Sequence, residues 1–327
     1  MKIDPKKIPA AGKAAMPAFV KPQLATLVSE APKGDQWLHE LKFDGYRMLA
    51  HLQAGEVRFW SRNGKDWTEK FRNLIKVLKA LPLKTAILDG EVVAVDQKGH
   101  SSFQRLQQSM SGAAVTFVYQ VFDVIYLDGY SLVRTPLVER KAVLESLLAP
   151  DKSKGQLRYS DHVVGNGEQF FNQACEYGIE GIISKLADSP YESTRNKNWL
   201  KVKCNKRQEF VIAGYTPSKK GFPGFGSLVL GVYDKGKLIY AGRVGTGFSI
   251  KQRLELQGKL DQIAQSTMPF AVKPKDPGLR DAHWAKPKLV GEVEFTEWTA
   301  DGSIRHPSFQ GLRADKKATE VVREDAA

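Results

Sequence analysis

Two patterns of hydrophobic positions run along the chain, one of helical and one of strand period. Apolar residues at Phe71, Leu74, Ile75 and Leu78 recur at helical spacing and predict a helix over 71–81. The same reasoning predicts three further helices, over 103–110, 137–148 and 165–177. Alternating or dense apolar runs predict the strands between them, at 37–43, 48–52, 56–61, 86–95, 117–127 and 179–185. The first two thirds of the chain therefore mix helices and strands.

The pattern changes near residue 206. Strand-like runs separated by glycine, proline and lysine loops follow, at 209–216, 227–234, 237–244 and 290–299, with one helix predicted over 250–265. A short barrel with one inserted helix matches the OB-fold, although only four of its five strands are identifiable. We therefore expect an α+β protein with an N-terminal tail at 1–18, a first domain at 19–206 and an OB-fold domain at 207–327.

Charge narrows the choice of partner. The 327 residues carry 49 Lys and Arg against 36 Asp and Glu, a formal net charge of +13. The excess is +8 over residues 1–206 (30 − 22) and +5 over residues 207–327 (19 − 14), so it is not confined to one tail. A distributed excess suits a protein that contacts a polyanion such as duplex DNA from two sides. The plainer alternative is a basic protein with no such partner.

The sequence shows no sign of a membrane segment or of a disulfide-rich fold. No window of 18 consecutive apolar residues occurs, and residues 1–19 lack the apolar centre of a signal peptide. Two cysteines, Cys175 and Cys204, are too few for a disulfide framework or a zinc cluster. We therefore expect no membrane association, a reducing compartment and a cytoplasmic location, nucleoid-associated in a bacterium.

The strongest candidate chemistry lies at residues 40–47, where Lys42 is followed by Asp44 and Arg47. Alone, this stretch could be an ordinary strand and turn, since Asp-Gly is a strong turn dipeptide. A lysine is protonated at neutral pH, so a nucleophilic lysine must lose its proton. Nearby cations would favour that loss. A catalytic role for Lys42 therefore requires positive groups, metal ions or both around it.

Two later places offer such groups. Asp89 and Glu91 interrupt an apolar strand, which is costly unless something binds them, such as a metal ion or a ribose. Lys201 and Lys203 alternate along a strand and so lie on one face. Two neighbouring ammonium groups repel each other, and a bound polyphosphate is a better partner for them than a protein core.

Taken together, these residues resemble the ATP-dependent DNA ligases of the covalent nucleotidyltransferase superfamily, and most closely the ligase module of bacterial end-joining ligases. The resemblance runs from about Pro17 to Lys317. The motifs occur in the order of the family, at Lys42–Arg47, Ser61–Gly64, Leu88–Glu91, Phe122–Val124, Glu180–Lys185, Trp199–Lys203 and Arg313–Lys316, the last preceded by Arg305–Leu312. Each motif alone is a weak match, whereas the ordered set is a strong one.

The resemblance implies a nucleotidyltransferase (adenylation) domain with antiparallel sheets and helices, followed by the OB-fold barrel. It implies ATP as co-substrate, Mg²⁺ or Mn²⁺ as metal and nicked double-stranded DNA as substrate. The reaction would run through a lysyl-AMP and a DNA-adenylate, with cations stabilising each phosphoryl transfer. We expect a monomer, with DNA repair or end-joining proteins as candidate partners.

The resemblance also implies roles for individual residues. Lys42 would be the nucleophile. ATP or AMP would be contacted by Glu40, Leu41, Arg47, Arg62, Glu91, Phe122, Lys201, Lys203, Arg313 and Lys316. The metal ligands would be Asp44, Glu180 and Glu91. Phe122 would stack on adenine, or else simply pack in the core. For Lys185 the alternative is a solvated surface group, because a lysine at a strand exit is more often exposed.

Arg313 and Lys316 would reach the pyrophosphate when the second domain swings over the first. Their alternative is a charged loop that touches nothing.

Other functions share parts of this sequence pattern. An RNA ligase or a GTP-dependent capping enzyme shares the lysine chemistry, and a non-enzymatic OB-fold protein would only bind DNA. An NAD-dependent ligase is disfavoured, because about 40 residues before Lys42 leave no room for a nicotinamide-recognising domain. The same shortness leaves no room for a helical DNA-binding domain there. We also find no nuclease or polymerase module, so the repair pathway stays open.

Overall fold

The computed structural model describes residues 3–95, 106, 115–148, 155–204, 206–218 and 223–324. They belong to two compact units, Met1–Cys204 and Asn205–Asp325. The division falls two residues before the boundary expected from the sequence. The helix predicted over 103–110 lies outside the described residues, apart from Leu106.

The first unit combines twelve described strands with three described α-helices. Its strands β1 to β12 are Gly12–Lys13, Leu24–Leu27, Trp37–Leu41, Tyr46–Gln53, Glu56–Ser61, Thr85–Val95, Thr116–Leu127, Tyr130–Ser131, Leu157–Tyr159, His162–Val164, Gly181–Leu186 and Arg195–Lys203. Its helices α1 to α3 are Arg72–Lys79, Leu137–Leu148 and Gly167–Glu176. The helical periodicities at 71–81, 137–148 and 165–177 are therefore confirmed.

Two sheets carry the first unit. One has the order β1-β8-β7-β6-β4-β5 with β9 on β7, and the other has the order β10-β3-β11-β12-β2. The pairings are antiparallel except β7 with β9 and β12 with β2, as the expected antiparallel sheets require. The strand that leads into Lys42, β3, is an inner strand of the second sheet, between β10 and β11.

The core of the first unit forms where the helical periodicity meets the first sheet. Phe71, Leu74 and Leu78 are fully buried at and within α1, because residues three and four apart share one helix face. Gly45, just beyond the nucleophile candidate, lies so close to β6 that a β-carbon there would collide with the Val92 main-chain oxygen. The turn after Lys42 is therefore held tightly against the first sheet.

The second unit is built mainly of strands. Its strands β13 to β20 are Lys206–Pro217, Phe225–Asp234, Lys237–Val244, Ala264–Gln265, His283–Phe295, Glu297–Trp298, Ile304–Arg305 and Ser308–Leu312, and helix α4 is Ile250–Asp261. The four predicted strands all occur. The helix predicted over 250–265 ends earlier, at Asp261, and its last residues form β16 instead.

The expected closure into a barrel needs correction. The main sheet has the order β15-β14-β13-β17-β16 with β20 on β17, while β18 and β19 pair separately. Within the described ranges these pairings leave the sheet open. The physical reason is that β20 pairs with β17 and does not bridge to β15, so the ladder does not return to its start.

The expectation of two reduced cysteines is also wrong. Cys175 and Cys204 form a disulfide, with 5.4 Å between their α-carbons. Helix α3 packs on β11, whose neighbour β12 ends at Lys203, and this packing brings the two cysteines together. The cysteine argument for a reducing compartment is thereby removed. No helix in the described part of the chain is long and apolar enough to cross a membrane.

Candidate active site

Three neighbouring strands bring the central motifs to one end of the second sheet. Gly181 on β11 lies opposite Lys203 on β12, and the Lys42 main-chain N–H donates to the Gly181 carbonyl at 2.9 Å. Glu180 immediately precedes Gly181, and its own carbonyl accepts from the Cys204 N–H at 2.9 Å. Sheet register alone thus places Lys42, Glu180 and Lys203 together.

The Lys42 amine has a carboxylate partner. Its Nζ donates to Glu180 Oε2, and the Glu180 side chain is nearly buried whereas that of Lys42 is one-fifth exposed. On β12, Lys201 and Lys203 are half-buried and flank the buried Val202. The predicted placement of both lysines on one face is confirmed. The site therefore combines an accessible amine, a fixed acid and two basic side chains.

Arg47 is held by a buried anion on the first sheet. Its Nε and NH2 donate to the two Asp89 carboxylate oxygens at 2.6 Å each, and NH2 also donates to the Gln23 carbonyl at 3.2 Å. The Tyr191 hydroxyl donates to the same carboxylate at 2.6 Å. Burial acts to lower the pKa of Arg47, but Asp89 outweighs it and the pKa is raised. Arg47 is therefore a permanently charged, rigidly oriented group.

The three predicted metal ligands do not form a ready-made cage. Glu91 is half-buried and lies opposite Arg47 in the strand register. Asp44 and Arg62 are half-buried in the turns that follow β3 and β5. Within the described ranges, no cluster of three or more acidic, histidine or cysteine side chains could hold a metal ion.

Phe122 lies among cations and aromatic rings. Its residue is 8% exposed, and the Arg47 guanidinium carbon and Lys185 Nζ lie 4.6 and 4.4 Å from its ring centroid. The Trp199 ring meets it edge-on with 6.1 Å between centroids. Cations over an aromatic face are electrostatically favourable. Phe122 thus links the Arg47 end of the site to Lys185.

The expectation that Lys185 is a solvated surface group is wrong. The residue is 2% exposed, and its Nζ donates to Glu40 Oε1 at 2.9 Å. Burial lowers the pKa of Lys185 to about 8, against the opposing effect of Glu40. Burial acts to raise the pKa of Glu40, but Lys141 and Lys185 outweigh it and the pKa is lowered. Glu40 is therefore an ionised carboxylate inside the protein.

The basic motif of the second unit is also held by acids. Arg313 donates from Nε and NH2 to the two Asp315 oxygens and from NH1 to Glu292 Oε2, each at 2.9 Å. Lys316 Nζ lies 3.0 Å from Glu209 Oε1. The alternative of a charged loop that touches nothing is therefore wrong.

Comparison with known proteins identifies the family. A family model described as an ATP dependent DNA ligase domain matches residues 20–203, and one described as an ATP dependent DNA ligase C terminal region matches residues 222–316. The chain belongs to the ATP-dependent DNA ligases. The resemblance drawn from the motifs is confirmed, and with it the α+β fold class of a nucleotidyltransferase domain followed by an OB-fold domain.

Individual relatives sharpen this placement. The chain is 39% identical over 320 residues to the multifunctional non-homologous end joining protein LigD of Pseudomonas aeruginosa, covering 97% of this chain and 38% of that protein. It is 38% identical over 306 residues to the LigD repair protein of Mycobacterium tuberculosis, covering 93% and 40%. The chain thus spans about two fifths of the length of these curated relatives.

A solved structure of a mycobacterial DNA ligase D complexed with ATP and MES superimposes with a TM-score of 0.69 at 36% identity. The match covers 93% of this chain and 98% of that one.

Sequence reasoning missed several charged residues around this candidate site. Asp123, Arg140 and Lys141 are fully or almost fully buried, although none was a predicted site residue. One signal was present in the sequence. Arg140 and Lys141 lie three and four residues after Leu137 and three or four before Leu144, so they fall on the apolar face of α2. Charges on a buried helix face need internal partners.

Proposed function

We propose that this chain is an ATP-dependent DNA ligase that seals 5′-phosphate/3′-hydroxyl nicks in duplex DNA through a lysyl-AMP on Lys42. The observation that carries the proposal is the convergence of Lys42, Glu180 and Lys203 at one end of a sheet, in a chain of this family. The geometry supplies a nucleophile, an acceptor for its proton and a cation for the phosphate.

In the first step, Lys42 Nζ forms a bond to the α-phosphorus of ATP and the bond from that phosphorus to the bridging oxygen breaks. Pyrophosphate leaves, and the proton lost by the amine has an acceptor in the Glu180 carboxylate. The AMP then passes to the 5′-phosphate of the nick. Finally the 3′-hydroxyl attacks that phosphorus and AMP departs. Arg47, Lys201 and Lys203 would stabilise the charge that develops on phosphoryl oxygens.

The remaining nucleotide contacts are assigned by the family motifs. The main chain at Glu40 and Leu41 would face the adenine, since the Glu40 carboxylate is already occupied by lysines. Phe122 would stack on the base, Glu91 would bind the ribose, and Arg62 would bind ribose or phosphate.

Arg313 and Lys316 would orient the pyrophosphate after domain closure. They would then exchange their acidic partners for phosphate oxygens.

The carboxylates of this site suit a metal ion that is bound mainly by the phosphates of the substrate. Mg²⁺ in phosphoryl-transfer sites is commonly bound by one or two carboxylates plus substrate phosphates. Glu180, next to the nucleophile, with Asp44 and Glu91 as further oxygen donors, fits that use better than a preformed cage. Bound Mg²⁺ or Mn²⁺ would neutralise phosphate charge during each transfer.

The broader setting is proposed from the relatives. Both are named as non-homologous end joining proteins, which supports an end-joining or other repair role for this chain. We place that role in the bacterial cytoplasm, near the nucleoid. We propose that it acts on DNA as a monomer.

An intact-mass measurement tests the proposed function directly. Incubation with ATP and magnesium should add one AMP to the wild-type chain, and Lys42→Ala should add none. Lys79→Ala, at an exposed lysine of α1, is the matched control and should behave as wild type. The same variants should seal, or fail to seal, a 5′-phosphorylated nick. An adduct formed from GTP alone, or one that persists in Lys42→Ala, would overturn the assignment.

A further inference from the structure

Helix α2 carries two consecutive cations that are buried and belong to none of the ligase motifs. Arg140 is 0% and Lys141 is 1% exposed. Burying a charge is costly unless it is paired and hydrogen-bonded. Both residues must therefore be explained by what they contact inside the first unit.

Arg140 fixes the strand that carries Phe122. Its Nε and NH2 donate to the two Asp123 oxygens at 2.7 and 3.0 Å, and its NH1 donates to the carbonyls of Thr135 and Ser189 at 2.5 and 3.1 Å. Each of the three guanidinium nitrogens donates to at least one acceptor, and the fork geometry is the kind that orients a carboxylate. These contacts explain the burial of Arg140, which links α2 to Asp123 on β7.

Lys141 reaches the other sheet. Its Nζ lies 3.0 Å from Glu40 Oε1 and donates to the Ser160 carbonyl at 2.5 Å, with the Tyr159 ring centroid 4.3 Å away. The other Glu40 oxygen accepts from the Ser160 hydroxyl at 2.9 Å. Glu40 is two residues before Lys42 on the same strand. Helix α2, which lies outside the motifs, therefore contacts β3, the strand that leads into Lys42.

The grip on Glu40 is shared between two lysines. Lys141 and Lys185 both lie within 3.0 Å of Glu40 Oε1, and Lys185 also faces the Phe122 and Trp199 rings at 4.4 and 4.3 Å. Without the Lys141 ammonium, the Glu40 carboxylate would keep only Lys185 and the Ser160 hydroxyl as partners and could shift toward Lys185. The two lysines together hold Glu40 at a fixed point between the helix and the site.

On the basis of the proposed function, we propose that Lys141 is a positioning residue for the lysine-adenylation step. It fixes the Glu40 carboxylate and, through the strand from Glu40 to Lys42, the approach of the amine to the α-phosphorus. Its effect belongs to the first step, because a nick that already carries AMP is sealed by attack of the DNA hydroxyl. Holding the reacting atoms in line accelerates a reaction strongly, and a displacement of about 1 Å can lower its rate about 100-fold.

The test compares two reactions of the full chain. Lys141→Met keeps an unbranched side chain that is one atom shorter and removes its charge. We expect the single-turnover rate of lysyl-AMP formation at saturating ATP to fall about 10- to 100-fold, the range over which a small misplacement acts. The rate of sealing of a pre-adenylylated nick should change less than about threefold on the same reasoning. Lys141→Arg should recover most of the adenylation rate.

Val143→Ala is the structural control, because Val143 is a buried apolar residue of the same helix that packs in the hydrophobic core. It should slow both reactions alike or neither. If Lys141→Met does not fold, Ser160→Ala provides the test by removing only the hydroxyl donor to Glu40, and adenylation should again be slowed selectively.

Equal losses in both reactions, or no loss of adenylation in the folded variant, would overturn the proposal. A wild-type chain that forms no lysyl-AMP would instead overturn the proposed function.

Discussion

At the scale of single residues, Asp89 is the buried anion on which the orientation of Arg47 depends. Asp89→Asn keeps the shape and removes the charge, which leaves a largely buried guanidinium without its counter-charge. Breaking a buried ion pair in this way costs about 3–5 kcal/mol. We expect a loss of about 3 kcal/mol in the free energy of unfolding, since Arg47 keeps some solvent contact.

Urea unfolding of the two proteins measures this loss. Glu56→Gln is the control, because the Glu56–Arg58 pair is exposed at 3.6 Å and should contribute nothing measurable. An Asp89→Asn protein as stable as the control would contradict the role of the buried pair.

His51 provides a pH prediction that is independent of the site chemistry. It lies in β4, and burial lowers its pKa to about 4. Between pH 4 and its ordinary pKa of about 6.5, the unfolded chain binds a proton that the folded chain excludes. The contribution of neutral His51 to the free energy of unfolding is therefore complete above pH 6.5. It falls as the pH is lowered, by about 2 kcal/mol at pH 5.

Replacing the imidazole by an amide that does not titrate removes this dependence. The free energy of unfolding of His51→Gln should fall less than that of the wild type between about pH 7 and pH 5. Parallel profiles for the two proteins would show that the His51 pKa is not the cause.

The residue scale also shows the limit of reading a site from sequence. Lys42, Glu180 and Lys203 could be predicted because their motifs are local and the sheet register brings their ends together. The burial of Lys185 could not, because its partner Glu40 is 145 positions away and nothing near Lys185 signals it. From sequence alone, a lysine at the end of a strand is predicted to be exposed, because the residues that pack against it are not known.

At the scale of elements, hydrophobic periodicity predicted helix bounds most accurately where one face of a helix packs on a single hydrophobic core. The span 137–148 was predicted from spacing and is the observed span of α2. The boundary of α4 and the open sheet were missed for a tertiary reason. Residues 264–265 join β17 as a strand, and β20 adds to β17 rather than closing the sheet. Neither pairing has a local signature.

The disulfide between α3 and the end of β12 was missed for the same reason, and it yields a prediction at this scale. It closes a loop of 29 residues, which on the chain-entropy account stabilises the fold by about 3–4 kcal/mol. Reduction, or the double substitution Cys175→Ser and Cys204→Ser, should lower the unfolding free energy of the first unit by about 3 kcal/mol.

Denaturant unfolding with and without dithiothreitol measures this effect. The reductant should shift the wild-type midpoint and leave that of the double variant unchanged. An equal response of the two proteins to reductant would mean that the disulfide does not stabilise the fold.

At the scale of the whole molecule, the distributed positive charge predicts that the proposed binding to nicked DNA is sensitive to salt. A protein that neutralises DNA phosphates releases bound counterions, so its affinity falls steeply with added salt. With excesses of +8 and +5 over the two parts of the chain, we expect at least about six phosphate contacts and a loss of about 10³-fold in affinity between 50 and 200 mM salt.

Fluorescence anisotropy of a nicked duplex in the presence of EDTA measures binding without sealing. The thermal midpoint of the protein over the same salt range serves as the control, because it should move little if salt acts on the interface rather than on the fold. An affinity that changes less than about threefold would correspond to at most one released phosphate contact. The basic surface would then be a general property of the chain rather than its grip on DNA.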